Sequence, residues 1–228
     1  MLLHYSPLLL ALAASSLTAS AETTDQYAVN FDKTQTITYN GRQLRNVSLQ
    51  SSDGHQSHAV GTRLVYNDLT ANSFTALPGD VVKISLDYQT GATPWMHSYV
   101  YVDLNKDGKF AADELLSYSY SKGKNSLGQS IADGAAGAGN SLQPPTFQLA
   151  KDLAKGQYRM RVKVDWDNID PAGAKGEDGT VTGTNGIVTN GGAIADFTLH
   201  IHPTALPQMA LYLDTRHANI YAERGALP

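Results

Sequence analysis

Apolar and polar residues alternate with a period of two over several short stretches of this chain, the pattern of strands with one buried face. Val82, Ile84, Leu86 and Tyr88 fall on one side of such a stretch, and Val81, Lys83, Ser85 and Asp87 on the other. Tyr158, Met160, Val162 and Val164 oppose Arg159, Arg161, Lys163 and Asp165 in the same way. Strands are predicted at 26–31, 34–39, 44–49, 62–66, 80–88, 98–103, 114–120, 146–149, 157–164 and 195–202. Turn signals separate them at Asn40-Gly41, Pro78-Gly79-Asp80 and Asn190-Gly191-Gly192. No stretch holds a helical period beyond a single turn near 110–115. Many short strands without alternating helices predict an all-β fold, a β-sandwich of antiparallel strands with long Gly-rich loops.

Two stretches break the pattern. Residues 121–141 are rich in Gly, Ala, Ser and Asn, and residues 170–192 carry seven glycines, including Gly173, Gly176 and Gly179. Segments of this length are functional or mobile, and mobility is the commoner case. After Pro203 the pattern changes again. Residues 203–228 read as a linker and short tail, or the start of a further module, with short strands expected at 209–213 and 218–222.

The N-terminus changes the picture most. Leu8–Leu12 form a short apolar run, and Ala19 and Ala21 stand where a signal peptidase accepts small side chains. Residues 1–21 are therefore expected to be a signal peptide, with cleavage near Ala21 and the sandwich domain spanning 22–202. The expected location is secreted or periplasmic. The chain contains no cysteine, so neither a lipid-bearing Cys nor disulfide staples are available, which points to a bacterial exported protein. Residues 1–21 hold no Asp, Glu, Lys or Arg, so the net charge of −4 survives cleavage. That balance argues against nucleic acid and anionic membranes as partners, and no later stretch is long and apolar enough to span a membrane.

One motif carries specific chemistry. In the run Asp103-Leu104-Asn105-Lys106-Asp107-Gly108-Lys109-Phe110-Ala111-Ala112-Asp113-Glu114, oxygen side chains stand at the first, third and fifth places, Gly at the sixth and Glu at the twelfth. Ca²⁺ takes about six to eight oxygen ligands, and a tightly coiled loop turns alternate residues inward. Asp103, Asn105, Asp107, the Lys109 carbonyl and Glu114 are the expected ligands, with Gly108 permitting the turn and Phe110 packing the loop onto the core. The approach through Tyr99-Val100-Tyr101-Val102 reads as a strand, so the loop is not half of an EF-hand.

The run Tyr99–Phe110 resembles the opening of the GEVED domain, found in secreted bacterial proteins beside proteases, adhesin-like repeats and sorting modules. Gly156-Gln157-Tyr158-Arg159-Met160-Arg161-Val162 is similar to that family's G-x-Y-R-M-R-V strand. Gly192-Ala193-Ile194-Ala195-Asp196-Phe197 is similar to the closing G-E-V-E-D-Y, with Ala at both Glu positions. The resemblance spans Tyr99 to His202. It implies a β-sandwich accessory domain with a calcium-type loop and no catalytic machinery.

Other constellations are less specific. Asp165, Asp167 and Asp170, with Asp196, could form a second acidic metal site, although a solvated turn is the commoner origin of such a cluster. His200 and His202 share a strand face without an evident third ligand, and His55 and His58 lie in a polar stretch. Tyr99, Tyr101, Trp95 and Trp166 could stack on a sugar, or simply pack. No catalytic motif is present: there is no G-x-S-x-G, H-E-x-x-H, P-loop or dinucleotide fingerprint. The expectation is a secreted non-catalytic binding module with a structural calcium, meeting an extracellular protein or glycan surface. The alternative is a secreted glycan-active hydrolase or its carbohydrate-binding part.

Overall fold

The computed structural model describes residues 26–37, 43–88, 96–131 and 143–203. The signal segment, the Asn40-Gly41 turn, Trp95 and the tail strands lie outside the described residues. Nine strands are present among those described: β1 (Leu44–Ser51), β2 (Gly54–Ala59), β3 (Tyr66–Ala76), β4 (Val81–Tyr88), β5 (His97–Val102), β6 (Leu115–Tyr118), β7 (Phe147–Gln148), β8 (Gly156–Asp165) and β9 (Ala193–Ile201). They form two sheets, ordered β2-β1-β4-β7 and β3-β9-β8-β5-β6. This is a β-sandwich.

The alternation along β4 gives the first sheet its inner face: Val82 and Ile84 are fully buried and Leu86 nearly so, while Val81 is exposed. In the second sheet, Val100 and Val102 of β5, Met160, Val162 and Val164 of β8, and Phe197, Leu199 and Ile201 of β9 point into the same core. Phe74 of β3 and Phe147 of β7 join them. Each such buried side chain contributes about 1.5–3 kcal/mol.

The structure differs from the sequence expectation in several places. The sandwich is not wholly antiparallel, because β3 runs parallel to β9, with Tyr66 opposite Ile194 and Phe74 opposite Leu199. More than a hundred residues separate the two strands, so the long crossover a parallel pair requires is available. Residues 26–31 are not a strand: Tyr27 has φ +57°, a left-handed conformation that interrupts any ladder. Residues 34–36 contribute only a bridge, Thr36 to Leu64, and residues 114–120 open with a 3-10 turn at Ala112–Glu114 before β6. A further difference is the glycine-rich segment 170–192, which is packed cover. Its Ala174, Ile187 and Val188 are buried.

That cover changes the meaning of the polar face of β8. Arg161, Lys163 and Asp165 are on the side away from the core, as their alternation predicts, yet none is exposed to solvent. The segment 26–31 and the loop following β8 lie over them.

Candidate functional site: the acidic loop and its buried support

β5 delivers Asp103 to the edge of the core, where it is fully buried. Its N–H donates to the Arg159 carbonyl at 3.0 Å, which fixes the loop to β8. From there the chain coils about the Asp103 carboxylate. Oδ1 accepts the Lys106 N–H at 2.7 Å and the Asp107 N–H at 3.3 Å, and Oδ2 accepts the Gly108 N–H at 3.0 Å. Asn105 Oδ1 accepts the Asp107 N–H at 2.8 Å, and Asp107 Oδ1 accepts the Lys109 N–H at 2.9 Å. Gly108 takes φ +85°, a conformation that costs a residue with a Cβ about 1–2 kcal/mol.

Glu114, in the 3-10 turn, folds back across the loop and is almost fully buried. Its Oε1 accepts the N–H groups of Leu104 (2.8 Å) and Asn105 (3.3 Å), and its Oε2 that of Ala111 (2.9 Å). The twelfth residue of the loop thus meets the second and third. Phe110 does not reach the core: its ring is 5.7 Å from that of Tyr101 and 5.4 Å from that of Tyr27, with the Arg161 guanidinium 4.8 Å away, and it is Leu104 that packs the loop against the core. All the candidate ligands are oxygen donors, the set a hard cation such as Ca²⁺ takes. Among the described residues, no three Asp, Glu or His side chains gather by themselves into a metal-sized cluster. Asp103 and Glu114 are instead turned onto backbone N–H groups.

Tyr27 holds the loop from outside. Its hydroxyl donates to Asp103 Oδ2 at 2.7 Å and its N–H to the Gly108 carbonyl at 2.7 Å, while its own carbonyl accepts Arg161 Nη2 at 2.7 Å. Arg159 lies over its ring at 4.4 Å. Burial, and then the Asp103 carboxylate, raise the Tyr27 phenol above its ordinary value, so it stays a donor. Nothing in the local sequence marks Tyr27 for this role; an aromatic in an alternating stretch reads as a core residue.

Arg161 is the other residue the pattern conceals. Its Nε and Nη2 reach the two oxygens of Asp196 at 2.6 and 2.7 Å, and its remaining donors go to the carbonyls of Tyr27, Ala28 and Pro171. All five guanidinium N–H groups are used. Lys163 is buried as well. It donates to the carbonyls of Asn168 (2.8 Å) and Asp170 (2.6 Å) and lies 3.3 Å from Asp165 Oδ2; burial lowers its pKa despite that partner.

These cations dispose of the second acidic site. Asp196 is taken by Arg161. Asp165 lies beside Lys163 and accepts Asn190 Nδ2 at 2.9 Å and the Trp166 N–H at 2.8 Å. Asp170 caps the Ala172 N–H, and Asp167 is exposed, its carboxyl raised by partial burial and then by the Asp165 charge. The four do not converge. The aromatic platform fails for a similar reason: Tyr99 and Tyr101 are inside the molecule, so neither offers a face to a sugar. Trp166 is half-buried. His200 and His202 sit with ring centroids 4.3 Å apart and gain no third ligand among the described residues.

Two cavities open near these elements. One of about 380 Å³ is lined by Lys33, Thr62, Leu64, Tyr66, Asn67 and Asp68, among others. The other, about 290 Å³, lies between Tyr27, Ala28, Gly108, Phe110, Arg161 and Pro171. Asp68 is the one carboxylate in the lining of the two.

Fold and site together define a β-sandwich module in which a strand-borne acidic loop is locked to a buried Arg–Asp pair. Residues 97–200 match the family model of the GEVED domain. The match runs from β5 to β9; β1–β4 lie before it, β1, β2 and β4 making most of the facing sheet and β3 an edge of the larger one. No curated protein matches the chain.

Proposed function

We propose that this chain is an exported, non-catalytic binding module whose loop 103–114 takes Ca²⁺ through Asp103, Asn105, Asp107, the Lys109 carbonyl and Glu114. The observation carrying the reading is the return of Glu114 onto the N–H groups of Leu104 and Asn105, which brings both ends of an all-oxygen loop together. Bound calcium would supply positive charge to two buried carboxylates that otherwise rest on backbone N–H groups and, for Asp103, the Tyr27 hydroxyl. The chain's own residues do the rest: Asp103 and Gly108 set the coil, and Phe110 seats it on Tyr101. A ligand that binds only the folded loop stabilises the fold.

The partner is an extracellular protein or glycan surface, met without chemistry. A glycosidase needs two facing carboxylates across a cleft; of the two cavities described, one is lined by a single carboxylate, Asp68, and the other by none. The test is thermal unfolding of the mature protein in excess Ca²⁺ and in chelator. A raised midpoint with calcium is expected, and it should vanish in an Asp103→Ala, Glu114→Ala variant. An identical midpoint in both conditions would reduce the loop to a hydrogen-bonded turn.

A further inference from the structure

We infer that Tyr27, a residue outside the family-matched segment, is a positioning residue of the calcium loop, aiming the Asp103 carboxylate through its hydroxyl. This rests on the calcium reading above. The hydroxyl is 2.7 Å from Asp103 Oδ2, the oxygen that also takes the Gly108 N–H at 3.0 Å, so one carboxylate oxygen is pinned from both sides. With Oδ1 accepting the Lys106 and Asp107 N–H groups, these bonds fix the orientation of the Asp103 carboxylate.

The placement of Tyr27 is itself over-determined. It adopts φ +57°, a conformation disfavoured for a bulky residue. It is kept there by its N–H on the Gly108 carbonyl, its carbonyl on Arg161, Arg159 over its ring, and Phe110 beside it. A left-handed aromatic residue held from both backbone ends, with its polar tip on the first residue of an acidic loop, fits a support for a ligand better than a spacer. Outer partners that fix a metal ligand commonly change affinity by about 10–100-fold when lost. The arrangement also means that residues 97–200 by themselves lack part of this loop's support.

Tyr27→Phe tests this, because it removes the hydroxyl and keeps the ring contacts. Calcium titration by calorimetry on the mature chain is expected to show binding weakened about tenfold. The calcium-induced rise in unfolding midpoint should shrink with it. Equal affinity in Tyr27→Phe and wild type, with the midpoint lowered by the same amount in calcium and in chelator, would overturn the inference and leave Tyr27 as a strap. Absence of any binding by the wild type would instead remove the calcium reading, and this inference with it. If Tyr27→Phe does not fold, hydrogen exchange of the Tyr27 amide in the wild type decides. Slower exchange with calcium supports the coupling, and unchanged exchange overturns it.

Discussion

Arg161 and Asp196 face each other across adjacent strands and join through two parallel bonds of 2.6 and 2.7 Å, both side chains fully removed from solvent. They stand directly opposite in the β8–β9 register. Arg161 is the second arginine of the Gly156–Val162 motif, and Asp196 is the acid of the closing one. The planar fork of Arg suits a carboxylate as no other side chain does. Its other donors reach Tyr27, Ala28 and Pro171. One guanidinium therefore ties the two motifs to the segment before β1 and to the loop after β8.

Breaking this pair should cost more than an ordinary core mutation, because the survivor is a buried charge without its counterion. Asp196→Ala is expected to lose about 3–5 kcal/mol in denaturant unfolding. Arg161→Lys keeps the charge but cannot form the fork or reach three carbonyls at once, so it should also be clearly destabilised. A loss below about 1 kcal/mol for Asp196→Ala would mean that water reaches the pair and that the cover over β8 is open.

Tyr99 and Tyr101, neighbours on one face of β5, should respond to the same substitution with opposite sign. The Tyr101 hydroxyl donates to the Ile169 carbonyl, whereas the Tyr99 hydroxyl is buried without a hydrogen-bond partner. Removing a bond costs about 1 kcal/mol, and removing an unpaired buried hydroxyl returns a similar amount. Tyr101→Phe should lower the denaturant midpoint and Tyr99→Phe should hold or raise it. A Tyr99→Phe protein as destabilised as Tyr101→Phe would show that a bound water or ligand serves that hydroxyl.

Strands β5 and β8 of the larger sheet were legible because their inner residues are uniformly apolar: Val100 and Val102, then Met160, Val162 and Val164. Segments without that contrast were missed. β2, Gly-His-Gln-Ser-His-Ala, has no apolar face, with every other residue only half-buried. The middle of β3 is a bulged stretch between Asp68 and Ser73 that offers no steady period. The acidic loop could be read from spacing because its hydrogen bonds are local, Asp103 accepting from Lys106 and Gly108, and Glu114 from Leu104. Tyr27 and Arg161 could not, since their partners are distant in sequence: Asp103 lies 76 residues from Tyr27, and Asp196 lies 35 from Arg161. Alternation correctly put Arg161, Lys163 and Asp165 on the outer face of β8. It does not tell that another part of the chain covers that face.

The covered tyrosines set the alkaline limit of stability. Burial is the largest cause raising Tyr66, Tyr99 and Tyr101 above their ordinary value of 10.0, followed by nearby carboxylates: Asp196 for Tyr66, Asp165 for Tyr99 and Asp170 for Tyr101. A group whose folded pKa lies above its unfolded one binds more protons when folded at high pH. Its contribution is complete below the unfolded value and is lost as pH rises from about 10 toward the folded value. Lys163 acts with the opposite sign. Its folded pKa is depressed below 10.5, so stability recovers as pH rises through that lower window. Unfolding midpoints should therefore hold or rise slightly up to about pH 10 and fall beyond it. Phenolate absorbance gives the direct check. In the native protein part of the tyrosine signal should remain protonated until unfolding releases it, whereas in urea all of it should titrate near 10. Native and denatured titrations that superimpose would place these rings in contact with water and remove the cover inferred over β5 and β8.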